Sequence, residues 1–372
     1  MNKPLSIYLN MLRAASAILV VLSHLSQGRL ASAPFAAFHN WELGHDAVIV
    51  FFVLSGYVVG FSAEHKKKSA RSYIVARSSR MLSCLVPLLV VAPLLYIVGR
   101  HIDPYLYADP TAFYSPEDAR TFLETLTFTQ EYELQTVAYF GDLPLWSLSY
   151  EAAYYILFGF IFYLRGAKRS VAVGLAVLLM GPKIMLLAPL WFAGCAISHW
   201  RDKLLLSRKW AVRILLATIL LFPAYVAFHM FFYPRFFYVL TLVGTQHTVL
   251  NQSHFFPTDY LLCVIVCAHI VAARSLLHDG FRWPNGFADI SNWLADRSFS
   301  IYVFHFPLLY FAAAILGRSR FHLAGGLIML LIALGGSILL AHISDLRKRE
   351  WRNFVETLVY MYRKLPFARR TI

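Results

Sequence analysis

Leu12-Arg13-Ala14-Ala15-Ser16-Ala17-Ile18-Leu19-Val20-Val21-Leu22-Ser23-His24 is the middle of an apolar run that extends over residues 7–27. Its length matches the roughly 20 residues an α-helix needs to cross a bilayer. It carries Arg13 and ends without a small-residue cleavage site, so it reads as a span and not as a removable leader. Similar runs follow near residues 46–63, 81–99, 145–163, 170–181, 184–199, 214–232, 259–273, 298–316 and 321–343. The fifth is short, and Gly181-Pro182 divides it from the sixth as a turn signal. Hydrophobic residues make up 59% of the 372 positions and charged residues 15%, against about a quarter charged in soluble domains. So few charged groups do not cover a water-soluble globule of this length. The reading is all-α: a transmembrane bundle of about ten helices over residues 1–346, then a basic tail over 347–372.

The net charge of +14 raises nucleic acid as a partner, but its distribution points elsewhere. With the amino terminus cytoplasmic, 26 Lys or Arg fall in cytoplasmic segments and 7 in outer ones, with Arg13 left inside a span. Positive charge concentrates on the cytoplasmic side of membrane proteins, so both termini are expected there, with anionic lipid headgroups as the bulk partner and no nucleic acid. Cys84, Cys195, Cys263 and Cys267 all lie in apolar runs, where thiols behave as small hydrophobes, and no metal site is implied. Residues 101–143 form a long outer segment with eight acids (Asp103, Asp109, Glu117, Asp118, Glu124, Glu131, Glu133, Asp142) and one arginine. It reads either as a lid or acceptor surface or as a plain solvated loop. In the tail, Trp351, Phe354, Val355, Leu358, Val359 and Tyr362 recur at helical spacing, with Arg352, Arg363 and Lys364 near the edges, as in an amphipathic helix lying on the cytoplasmic leaflet. No inverted repeat of the kind found in many transporters stands out.

Ionisable groups inside a bilayer are rare and mark function more often than surface charges do. Arg13 and His24 are eleven residues apart, which brings them within about 20° of one helix face and about 16 Å apart along the axis. One face thus offers a fixed cation and, beyond it, an imidazole able to move a proton. An arginine snorkelling to the interface beside a packed histidine is the simpler account. Companions weaken it. Glu151 lies within Trp146-Ser147-Leu148-Ser149-Tyr150-Glu151 at the start of the fourth span, with His24 as its expected partner. His305 lies two turns into the ninth. Arg77 and Arg80, after Lys66, Lys67, Lys68 and Arg71, suit topology but also a phosphate-bearing cytosolic donor. Ser55-Gly56 interrupts the second span, as close helix packing requires.

These residues resemble the acyltransferase-3 family of bacterial membrane proteins, which acylate sugars of surface and secreted glycans. The resemblance rests on Arg-x10-His (Arg13, His24), FFxLSGY (Phe51 to Tyr57), RxxR (Arg77, Arg80), WSLSxE (Trp146 to Glu151) and SxYxFHFP (Ser300 to Pro307), in order over nearly the whole chain. With no SGNH-hydrolase part after the membrane region, it is similar to the stand-alone members. It departs from the family in three places. Leu9-Asn10-Met11-Leu12-Arg13 lacks the usual Asp and Gly. Ile49 stands where an acid is usual, with Asp46 a turn earlier on the same face, and the last span lacks its Glu-Pro pattern, with Asp345 the nearest acid.

The resemblance implies a membrane-embedded O-acyltransferase of the bacterial inner membrane. Cytosolic acyl-CoA, most often acetyl-CoA, would be the donor, and a glycan or lipid-linked saccharide the acceptor. No permanently bound cofactor and no metal is expected. It implies His24 as base or acyl carrier, Glu151 orienting it, and Arg13, Arg77 and Arg80 holding the donor. Ser55, Gly56, Trp146, Ser147, Tyr302 and His305 would complete the site. Two other readings stay open: a proton-coupled transporter using the same buried charges, and an inactive polysaccharide-assembly membrane protein.

Overall fold

The structure, a computed structural model, describes residues 2–27, 29–30, 35, 41–65, 69–108, 112–242, 250–278 and 280–364. Lys66, Lys67, Lys68 and Asp109 lie outside these, as do the side chains of Tyr362, Arg363 and Lys364. Every regular element among the described residues is helical: α1 Lys3–Leu25, α2 Leu43–His65, α3 Ala70–Ile102, α4 Ala119–Leu126, α5 Trp146–Tyr163, α6 Gly166–His199, α7 Arg208–Leu242, α8 Phe256–Leu276, α9 Phe287–Ala295, α10 Ser298–Leu316, α11 Leu323–Leu340 and α12 Lys348–Lys364, with short 3-10 turns between. Nine helical stretches among them are long and apolar enough to cross a membrane.

One of the nine, α6, turns back on itself. It breaks at Gly181 (φ 78°, ψ 176°). Both of its ends lie at the same end of the bundle. Tyr163, just ahead of α6, packs on Tyr73 near the start of α3 with ring centroids 5.4 Å apart, and His199 at its far end meets Glu64 near the end of α2 at 2.5 Å. The break lies at the opposite end, where the Glu133 N–H of the α3–α5 segment donates to the Met180 carbonyl at 3.0 Å. Residues 170–181 and 184–199 therefore run in opposite directions, divided at Gly181-Pro182 as expected. Gly181 fits because a positive φ disfavours a Cβ, and any Cβ there would meet the Glu133 backbone. Pro182 opens the return helix, where its missing N–H costs nothing.

Backbone contact between small residues joins α2 to the returning half of α6. A Cβ on Gly56 would strike the Trp191 carbonyl, and one on Gly194 the backbone at Val53 and Tyr57. Lipid offers no hydrophobic drive for helix association, so such close van der Waals packing carries it. The close packing expected at Ser55-Gly56 is present, but α2 runs through it without a break.

The two ends of the bundle differ. At the basic end Glu64 pairs with His199 and Arg201, and Asp202 with Arg274. The other, or loop, end is capped by residues 103–108 and 112–142, and this cap is folded. Glu131 is buried against the buried Lys183 at 2.7 Å. Lys183 also donates to the Gln135 carbonyl and Thr136 Oγ1, and Asn251 donates to Glu131. A plain solvated loop would not bury this pair, because an ion pair out of water needs every remaining bond satisfied. The tail helix α12 turns Trp351, Val355 and Val359 towards the bundle and leaves Phe354, Leu358 and Met361 exposed. The Trp351 indole donates to the Ile343 carbonyl at 3.1 Å. The amphipathic helix expected there is present.

Candidate functional site

Helices α1, α2, α3, α5 and α10 enclose a cavity of about 210 Å³. Its polar lining includes Arg13 on α1, Ser55 on α2, Arg77 and Arg80 on α3, Ser147, Glu151 and Tyr155 on α5, and Tyr302 on α10. Arg80 follows Arg77 by three positions, so one helix face presents both. The Arg77 guanidinium lies over the Tyr155 ring at 5.5 Å and that of Arg80 over Phe299 at 5.4 Å. Among the described residues neither makes a hydrogen bond or ion pair, and the Nε atoms of Arg13, Arg77 and Arg80 are all buried without a partner. Arg13 donates once, to the Ala295 carbonyl at 2.5 Å. Glu151 is the only carboxylate among the described lining residues, against three arginines, so the lining carries an excess of positive charge. Buried cations left without a counter-ion are costly, and an anionic ligand relieves that cost.

Glu151 accepts from Ser55 Oγ at 2.6 Å and from the Tyr155 hydroxyl at 2.5 Å. The expected pair with His24 is not formed. Glu151 points into the arginine cavity, whereas His24 meets His305, its Nδ1 2.8 Å from His305 Nε2, with the rings stacked at 5.0 Å. Helical spacing placed Glu151 at the right depth but did not tell which neighbour α5 turns it towards. The shared face of Arg13 and His24 is seen in their partners: Arg13 reaches Ala295 just ahead of α10, and His24 reaches His305 within it.

Neither histidine lines the cavity. Tyr302 stands between. Its ring faces the cavity and lies 5.7 Å from Phe51. Its hydroxyl donates to the Pro144 carbonyl at 2.9 Å and meets Ser147 Oγ at 2.6 Å. Its own carbonyl accepts from His305 Nδ1 at 2.6 Å. One residue thus touches both compartments.

The remaining motif residues divide by position. Trp146 stacks on His45 and meets Phe52 edge-on, away from the cavity. Asp46 lies one turn ahead of Ile49 on α2. It is buried and accepts from the Tyr225 hydroxyl at 2.8 Å, beside a His45–Asp259 pair at 2.9 Å. Asp345 accepts from the Ser300 N–H at 2.9 Å and its hydroxyl at 3.1 Å, anchoring the start of the helix that carries Tyr302 and His305. Tyr155 was missed in the sequence, although its place four residues after Glu151 puts it on the same face. Asp142 was counted only as a loop acid. It is fully buried with neither oxygen bonded, and burial pushes its pKa well above the usual carboxylate range. All four cysteines are free. Among the described residues no group of three or more His, Cys, Asp or Glu is arranged to hold a metal ion.

Helices long and apolar enough to cross a membrane, nine among the described residues, packed around a cavity lined by three arginines, define a polytopic helical membrane protein. A family model described as an acyltransferase domain matches residues 6–342, and the chain belongs to that family, acyltransferase-3, the one its motifs resemble. It is thus a membrane acyltransferase. No curated protein and no solved structure matches the chain.

Proposed function

We propose that the protein is an O-acyltransferase that moves an acyl group, acetyl in the first instance, from acyl-CoA to a hydroxyl of a surface or secreted glycan. The observation that carries the reading is the cavity in which three guanidiniums share one carboxylate. Planar guanidinium forks suit phosphate groups better than point charges do, and coenzyme A is phosphate-rich. The charge distribution along the chain supports a cytoplasmic basic end in a bacterial inner membrane, with the loop end facing the acceptor glycan or lipid-linked saccharide. Arg13, Arg77 and Arg80 hold the donor's phosphates or pantetheine. The thioester reaches His24 past the Tyr302 ring.

His24 takes the acceptor hydroxyl's proton as its oxygen attacks the thioester carbonyl. The carbon–sulfur bond then breaks and the leaving thiolate takes the proton from His24, giving an ester and coenzyme A. Glu151 balances the arginine charge and, through Ser55 and Tyr155, holds the cavity wall. A thioester is already activated, so the proton transfers suffice.

The test is purified protein in detergent with radiolabelled acetyl-CoA and candidate glycans, followed by mass spectrometry of glycans from cells with and without the protein. Label in a glycan and loss of an acetyl-sized increment are expected. Absence of both transfer and thioester hydrolysis with every acyl donor overturns the reading, as does wild-type turnover in His24→Ala for the role of His24.

A further inference from the structure

Hydrogen-bond direction fixes the protons on the two histidines. His305 is fully buried. Its Nδ1 lies 2.6 Å from the Tyr302 carbonyl and 3.2 Å from that of Ile301. Carbonyl oxygens only accept, so Nδ1 bears the hydrogen. A second hydrogen on Nε2 would put a cation in an enclosed site with no carboxylate among its hydrogen-bond partners, which is strongly disfavoured. His305 Nε2 is therefore an acceptor, and the 2.8 Å contact to His24 Nδ1 is a hydrogen bond only if His24 donates. Neutral His24 then carries its lone pair on Nε2.

We propose that His305 is a positioning residue that holds His24 in its Nδ1–H tautomer, with Nε2 as the base. Its role in turnover rests on the acyl-transfer reading above, whereas the tautomer does not. The Ile301–Tyr302–His305 register does the work. The two carbonyls belong to α10, whose amino end is tied down by Asp345 through Ser300, so the imidazole is held by a rigid backbone. When His24 Nε2 takes a proton, its Nδ1–H already points at the His305 lone pair, which stabilises the imidazolium. Elsewhere an aspartate does this for a catalytic histidine. The same geometry couples the compartments, since the residue whose carbonyl orients His305 also walls the arginine cavity.

Nitrogen-15 NMR of histidine-labelled protein, with His24 assigned by loss of its signals in His24→Gln, reads the tautomer directly. The expected result is a protonated Nδ1 and an unprotonated Nε2 on His24 at neutral pH, lost in His305→Leu. A proton on Nε2 of His24 in the wild type overturns the proposal, whatever the activity. In kinetics, His305→Leu is expected to lower kcat by about 10²–10⁴-fold, the range for a general base, with the donor KM unchanged. His305→Gln, whose amide oxygen can accept from His24, is expected to recover about tenfold or more of that loss. Equal losses in the two variants, or a loss in KM alone, refute the positioning role. If the wild type transfers no acyl group, the acyl-transfer reading fails and the NMR result still decides the tautomer.

Discussion

Replacing Arg80 with glutamine separates a ligand-binding cation from a structural one. Arg80 sits over the Phe299 ring at 5.4 Å, makes no hydrogen bond or ion pair among the described residues, and buries its Nε without a partner. In the protein without ligand Arg80→Gln loses a cation–π contact of about 0.5–2 kcal/mol and eases the crowding of three guanidiniums around one carboxylate. The two effects oppose each other, so the thermal midpoint without ligand is expected to change little. With coenzyme A bound, the variant loses a charge-assisted hydrogen bond to phosphate, about 1.5–3 kcal/mol. At about 1.4 kcal/mol per decade, Kd rises on the order of 10–150-fold. Arg80→Lys keeps the charge without the fork and falls between. Calorimetry on detergent-solubilised protein, with coenzyme A and with phosphate-free pantetheine, checks this. Loss confined to coenzyme A is expected. Wild-type affinity for coenzyme A, or an equal loss for pantetheine, would refute the assignment of Arg80 to phosphate.

Three further outcomes are expected. Lys183→Met leaves Glu131 charged and buried at the loop cap, costing about 3–5 kcal/mol. Adding Glu131→Gln should recover much of it, and denaturant unfolding of the two singles and the double measures this coupling. Asp142 has a raised pKa from burial, so the fold favours its protonated form. Its stabilisation is full below the unfolded carboxylate range and falls as pH rises through that range towards the folded value. Asp142→Asn, neutral throughout, should therefore gain on the wild type as pH increases from 4 to 8, and a pH-independent difference in thermal midpoint would count against it. Tyr302→Phe removes the bonds to Ser147 and Pro144 at a cost of about 0.5–1.5 kcal/mol. Coenzyme A binding should be unchanged, whereas a loss like that of Arg80→Gln would place the hydroxyl in the donor site.

The transmembrane class was legible from apolar runs alone, and Gly181-Pro182 correctly separated two runs that hydrogen bonding joins as one helix. Arg77 and Arg80 share a face because three residues always bring side chains together on a helix. Their exposure to a cavity needed α1, α5 and α10 around them. Glu151 shows the limit. Its depth in α5 suggested His24, yet the rotation of α5 turned it towards Ser55 on α2 and Tyr155 a turn along. Lys183 and Glu131 read as a topology-counted lysine and a loop acid, and only the cap's folding paired them.

By itself the sequence determined the all-α polytopic class, the family, and which few ionisable residues fall within apolar runs. The bilayer imposes length and hydropathy on each segment independently, and those are one-dimensional properties. Tertiary structure alone decided that the arginines and Glu151 share one cavity, that His24 pairs with His305 beyond Tyr302, and which way that hydrogen bond runs. Those outcomes depend on the rotation and depth of each helix against its neighbours, which close packing such as Gly56 against α6 sets.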